Sequence, residues 1–214
     1  MRAKMLLALW VLIFITAACA VRPSSPPTGS NLPPAAQPTS MPSVPSVSGG
    51  WLGAKEAVAL AYAALPAGWK PTAKLAFVGR WSQFCNVGCS PFNVEEDPGI
   101  GADGRQAHWI VILAKDETSS PANVYYVEGA EARLVKSDVA TIRPDELFAR
   151  EGWVDSTEIQ FRTSQPVGLG LRTSDLFEDV DAELGRYSLL WLAETSFGHF
   201  DVYDATTGQY IKSR

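Results

Sequence analysis

The sequence predicts an α+β fold: two tandem helix-plus-antiparallel-sheet units that follow a signal peptide and a disordered linker. Three observations carry this expectation. Two Gly-Trp pairs, Gly68-Trp69 and Gly152-Trp153, stand 84 residues apart. Each follows a helix-like segment (54–65, 144–150) and precedes alternating apolar residues, Leu75 and Phe77 or Ile159 and Phe161. Residues 108–115 (HWIVILAK) lie over 187–194 (YSLLWLAE) at an offset of 79, and 123–137 lie over 199–213 at an offset of 76. The offset changes only in connecting segments, as it does when two copies of one fold differ in their loops.

The first element is not part of the fold. Arg2 and Lys4 precede an apolar run over 5–15, too short for the roughly twenty residues that cross a bilayer. A basic start, a short apolar run and small residues after it make a signal peptide over 1–18. Thr16-Ala17-Ala18 stands directly before Cys19. Small side chains before a Cys resemble the lipobox of bacterial lipoproteins, with Thr16 where Leu is commonest. The resemblance implies that Cys19 becomes the mature N-terminus and carries lipid. The competing reading is an ordinary signal peptide with a chance Cys.

Residues 19–50 follow as a lipidated Cys and a disordered Pro/Ser-rich tether. From 22 to 50 the only charge is Arg22, and so little apolar surface cannot offset the entropy of ordering. Anchor and tether together hold a soluble domain off the extracytoplasmic face of a cell membrane. The full chain carries 18 Lys+Arg against 23 Asp+Glu, a net charge of −5, which argues against nucleic acid as a partner. Loss of residues 1–18 leaves it near −7, so the domain is repelled by anionic headgroups and touches the membrane through its anchor alone.

The folded part divides into a first unit, 51–138, and a second, 139–214. Strands are expected near 73–79, 106–114, 123–128 and 132–136, then near 157–163, 187–194, 199–204 and 209–212. Asp204-Ala205-Thr206-Thr207-Gly208 supplies a turn former and a Gly at hairpin spacing. That turn, between the strand ending Val202-Tyr203 and the closing strand at Tyr210, resembles the end of a PepSY-type domain. The helix–strand–meander order is similar in outline. The first unit departs from the pattern, with Glu128-Gly129-Ala130-Glu131 in place of the turn. The resemblance implies an extracytoplasmic binding or regulatory module, with peptidase inhibition among its roles, and implies no reaction.

Candidate chemistry is sparse. Cys85 and Cys89 are the cysteines left beside Cys19, and outside the cytoplasm two nearby thiols favour a disulfide; a redox pair normally has two intervening residues rather than three. Zinc would need more ligands than His108 and His199 add, so no metal and no cofactor is expected. Gly99-Ile100-Gly101-Ala102-Asp103-Gly104 has the letters of a dinucleotide fingerprint, but it follows Glu95-Glu96-Asp97 and leads into a strand, which reads as a surface loop and excludes a nucleotide. Asp175, Glu178, Asp179, Asp181 and Glu183 read as the solvated face of a helix capped by Ser174 rather than as a calcium loop.

Two functions from different classes remain. The leading one is a protein-binding or regulatory lipoprotein, not an enzyme, whose partner is an envelope or secreted protein. Its aromatic anchors would be Trp81, Trp109 or Tyr125, unless these only pack the core. The alternative is a small-solute-binding or hydrolytic domain, which requires a cleft lined by residues of both units. His199 and Asp201, two apart on one strand, share a face there as an acid–base pair.

Overall fold

The computed structural model describes residues 50–80, 99–116, 120–137, 141–163, 166–177 and 181–214. The signal peptide, Cys19, nearly all of the tether, Trp81, Cys85 and Cys89 lie outside the described residues. The elements run α1 (Ala54–Ala63), β1 (Ala73–Arg80), β2 (His108–Lys115), β3 (Ser120–Glu128), β4 (Glu131–Lys136), β5 (Thr141–Ile142), β6 (Gly168–Thr173), β7 (Leu189–Ser196), β8 (His199–Asp204) and β9 (Tyr210–Ser213). Eight strands form one antiparallel sheet in the order β4-β3-β2-β1-β6-β7-β8-β9, and β5 pairs with the start of β3.

This corrects the expected architecture. The two meanders do not close as separate helix-plus-sheet units; their first strands pair, and the fold is a continuous sheet with one α-helix among the described residues. Joining β1 to β6 satisfies the backbone groups that each unit alone would expose on that edge, leaving β4 and β9 as the outer strands. Glycine makes the seam. Gly79 lies opposite Gly170 at φ +152°, and a Cβ on Gly79 would stand 2.2 Å from the Leu169 carbonyl oxygen and 2.4 Å from the Gly170 Cα.

The second expected helix is also absent. Of 144–150, only Pro144–Glu146 turns, as a 3₁₀ segment, and Phe148 exchanges both backbone hydrogen bonds with Leu75 of β1 (2.8 and 3.0 Å). A seven-residue helix gives few hydrogen bonds for a costly nucleus, so the bridge to the sheet wins. The strand expected at 157–163 is missing too. Ser156–Glu158 is a 3₁₀ turn, Ile159 is buried on the sheet face, and Phe161 packs edge-on against Tyr203 with ring centroids 5.9 Å apart. The first strand of the second half is β6, whose GLGLRT sequence hides its alternation behind two glycines.

Both faces of the sheet are covered. One carries Val78, Trp109, Val111, Tyr125, Leu171, Trp191 and Tyr203 under α1 and under the 153–161 segment. The other carries Phe77, Ile110, Val124, Leu190, Leu192 and Val202, with Leu184 packed on them. Trp109 and Trp191 hold corresponding places, one residue from the positions opposite Gly79 and Gly170. That register is an offset of 82, three more than matching the apolar strings suggests, because sliding such strings costs little in sequence. Each indole N–H reaches the covering chain: Trp109 donates to the Leu52 carbonyl (3.0 Å) and Trp191 to that of Val154 (3.1 Å).

The helix is capped from the other half. The Ala54 amide donates to Ser156 Oγ (3.0 Å), the Lys55 amide to Asp155 Oδ1 (2.9 Å), and the Gly53 amide to Glu56 Oε2 (2.9 Å). Gly53 is the N-cap because a Cβ there would sit 2.4 Å from Asp155 Oδ2.

Two substitutions test the seam and the cap. Gly79→Ala should lower unfolding stability by about 2–4 kcal/mol, read as the urea midpoint, since neither neighbour is a flexible side-chain end. Ser156→Ala should cost about 1–2 kcal/mol by leaving the Ala54 amide unpaired. An unshifted midpoint in either variant would remove that contact from the list of what holds the fold.

Candidate binding cleft

Along α1, Lys55, Val58 and Ala59 lie at i, i+3 and i+4 on one helical face, and Tyr62 continues it one turn on. Arg150, Glu151 and Gly152 form the facing wall, and the two enclose a cleft of about 410 Å³. It draws residues from both of the segments read in the sequence, 51–138 and 139–214.

Two cations rest on aromatic platforms at this cleft. The Arg150 guanidinium stands 3.7 Å from the Tyr62 ring centroid, and Lys55 Nζ stands 5.6 Å from that of Trp153. Both platforms are fixed. The Tyr62 hydroxyl donates to the Lys70 carbonyl (2.7 Å), and the Trp153 indole donates to the Ala149 carbonyl (3.1 Å). Lys74, Arg105, Arg143 and Lys212 each face a carboxylate. Among the described residues, Lys55 and Arg150 have no carboxylate within ion-pair distance. A pair of cations held on rings, with the Glu151 carboxylate also in the lining but beyond ion-pair distance, suits an anionic ligand.

The residues singled out in the sequence fall elsewhere. Trp109 and Tyr125 are interior, at 0% and 1% exposure, and pack beneath α1. His199 is exposed on β8. Asp201 is buried, and its carboxylate accepts from Thr163 Oγ1 (3.1 Å) and Ser213 Oγ (2.5 Å) rather than from His199. The Ser213 hydroxyl also meets that of Tyr210 (2.8 Å), so this is a closed hydroxyl–carboxylate cluster between β8 and β9.

The glycine loop has a packing role. It leads into β2, and a Cβ on Gly104 (φ +76°) would lie 2.0 Å from the Ser156 carbonyl oxygen. Of the acidic run, Glu178 and Asp179 lie outside the described residues; Ser174–Phe177 is a 3₁₀ turn, and the Ser174 hydroxyl bonds the Tyr187 carbonyl. Asp175 binds Arg143 (3.1 Å), and Asp181 binds Lys212 (2.9 Å), which holds the Asp181 carboxyl below its usual range.

Sequence reasoning missed a second charged cluster. His108 Nε2 lies 3.2 Å from Glu128 Oε1, the Tyr126 hydroxyl donates to Glu128 Oε2 (3.4 Å), and the Arg133 guanidinium covers the Tyr126 ring at 4.8 Å. Among the described residues, no group of three or more His, Cys, Asp or Glu stands close enough to hold a metal ion.

No protein-family model matches the chain, and no curated protein or solved structure matches it either.

The buried phenols give a measurable pH dependence. Burial raises Tyr203 and Tyr125 above the ordinary 10.0; the backbone amide of Arg162 partly offsets this for Tyr203, and Asn123 for Tyr125. Above about pH 10 the unfolded chain ionises while the folded one resists. Stability is thus held below that pH and falls as pH rises through the folded values. Urea midpoints from about pH 8 to about pH 11 should decline, with a shallower decline in Tyr203→Phe. Equal slopes in the two proteins would show that Tyr203 titrates as it does in the unfolded chain.

Proposed function

We propose that this chain is a membrane-anchored extracytoplasmic lipoprotein that acts as a protein-binding or regulatory module. Cys19 carries the lipid, the Pro/Ser-rich stretch up to residue 50 is the tether, and the sheet domain holds an envelope or secreted protein rather than turning over a substrate. The observation that carries the binding role is the cleft between α1 and residues 150–152, where Lys55 and Arg150 are held on aromatic rings without a carboxylate partner. The PepSY-like turn over 204–208 supports a protein as the thing bound.

The alternative, a small-solute site, is favoured by one observation: about 410 Å³ falls within the range of small-ligand pockets.

Two measurements test the proposal. Cys19→Ser should move the full chain from the membrane fraction to the soluble fraction of its source cell, and retention in the membrane would refute the lipid anchor. Crosslinking of the wild-type chain in intact cells, read by mass spectrometry, should return one selective protein partner. If it returns none while a metabolite screen raises the thermal midpoint, the small-solute reading replaces this one.

A further inference from the structure

We infer that the cleft takes an acidic peptide segment of the protein partner, with carboxylates gripped at both ends of the cleft. The inference rests on the binding-module reading and adds the chemistry of the bound segment.

The cations mark the two ends. Lys55 stands in the first turn of α1 and leans toward Trp153. Arg150 lies on Tyr62, seven residues further along the helix, which is roughly 10 Å at 1.5 Å per residue. A span of that length suits two charges carried on one ligand rather than one small oxyanion. An extended peptide supplies them, because in a polyproline-like conformation residues three apart share a face about 9 Å from each other. Between the ends lie Val58, 4% exposed, and Ala59, whose side chains carry no polar group.

The opposite wall is asymmetric. Gly152 has open space where a Cβ would be, so a ligand backbone can approach the wall there. Glu151 beside it is the one carboxylate lining the cleft, and it opposes an acidic ligand. Its charge sets the affinity below what the two cations alone would give. The ring contact contributes as well: a guanidinium already held over a fixed ring loses little side-chain freedom when a carboxylate meets it. The other charged clusters differ in kind, since Arg143 and Lys212 already meet carboxylates within the protein.

The experiment uses the full chain in detergent and a fluorescein-labelled hexaglutamate peptide, followed by anisotropy at low salt, with hexaglutamine as the neutral control. Hexaglutamate should bind and hexaglutamine should not, and high salt should weaken the complex. The double variant Lys55→Gln/Arg150→Gln should lose about tenfold or more in affinity, and Glu151→Gln should gain about two- to fivefold. Lys55→Glu, a single change at an exposed position, provides the same test should the double variant fail to fold.

No binding of hexaglutamate by the folded wild type would overturn the inference, as would equal affinity in the folded cation variants. Displacement of the peptide by millimolar phosphate would also overturn it, by showing a small-oxyanion site. The crosslinking experiment separates this inference from the reading it rests on. A partner captured equally by wild type and the cation variants leaves the binding module standing and moves its contact away from the cleft. A partner captured by wild type and lost from the variants supports both.

Discussion

The first turn of α1 is held by side chains that lie about a hundred residues further along the chain. Asp155 and Ser156 accept the amide protons of Lys55 and Ala54, and Glu56 accepts that of Gly53 while also meeting Arg105 at 3.1 Å. A ten-residue helix is marginal by itself, so its position depends on these bonds and on Ala54, Ala57, Val58 and Ala61 buried against the sheet. The same contact fixes residues 153–158 on the second half of the sheet, where Trp153 meets Trp191 edge-on at 5.9 Å. One polar knot therefore sets the spacing between the two covers, and that spacing is the cleft.

Much of the sheet was legible in the sequence. Residues 73–79, 106–114, 123–128 and 132–136 lie within two or three residues of the observed bounds of β1 to β4, and the strands expected near 187–194, 199–204 and 209–212 are β7, β8 and β9. Apolar alternation is local and survives in one dimension. What failed needed contacts across the chain. The segment 157–163 alternates as a strand does, yet its apolar side chains point down from a strip laid over the sheet. GLGLRT is a strand because Gly79 of β1 comes close enough to exclude a Cβ, and one copy of the repeat read alone gives no sign of this.

The site was less legible than the fold. Periodicity places Lys55, Val58, Ala59 and Tyr62 on one helical face, and the Gly152-Trp153 pair stood out as a repeat marker. Nothing local says that Arg150 reaches Tyr62. The aromatic residues chosen as surface anchors were those in the most apolar strands, and this is why Trp109 and Tyr125 are interior. His199 and Asp201 stand two apart on β8, but His199 is exposed while Asp201 is buried, and Thr163 and Ser213 hold the Asp201 carboxylate.

The departure from repeat symmetry is what opens the cleft. With a helix over each half of the sheet, the two would lie side by side about 8–10 Å apart and close the groove by ridge-and-groove packing. The chain at 144–150 makes one 3₁₀ turn and then bridges to β1, so an irregular, bent segment passes where a second helix would stand. Trp153 faces down onto Trp191, while Arg150 and Glu151 stay at the rim beside α1. The missing second helix thus leaves a cleft where helix packing would have closed the surface. The charge of the cleft is decided by three side chains, Lys55, Arg150 and Glu151, that the core does not need.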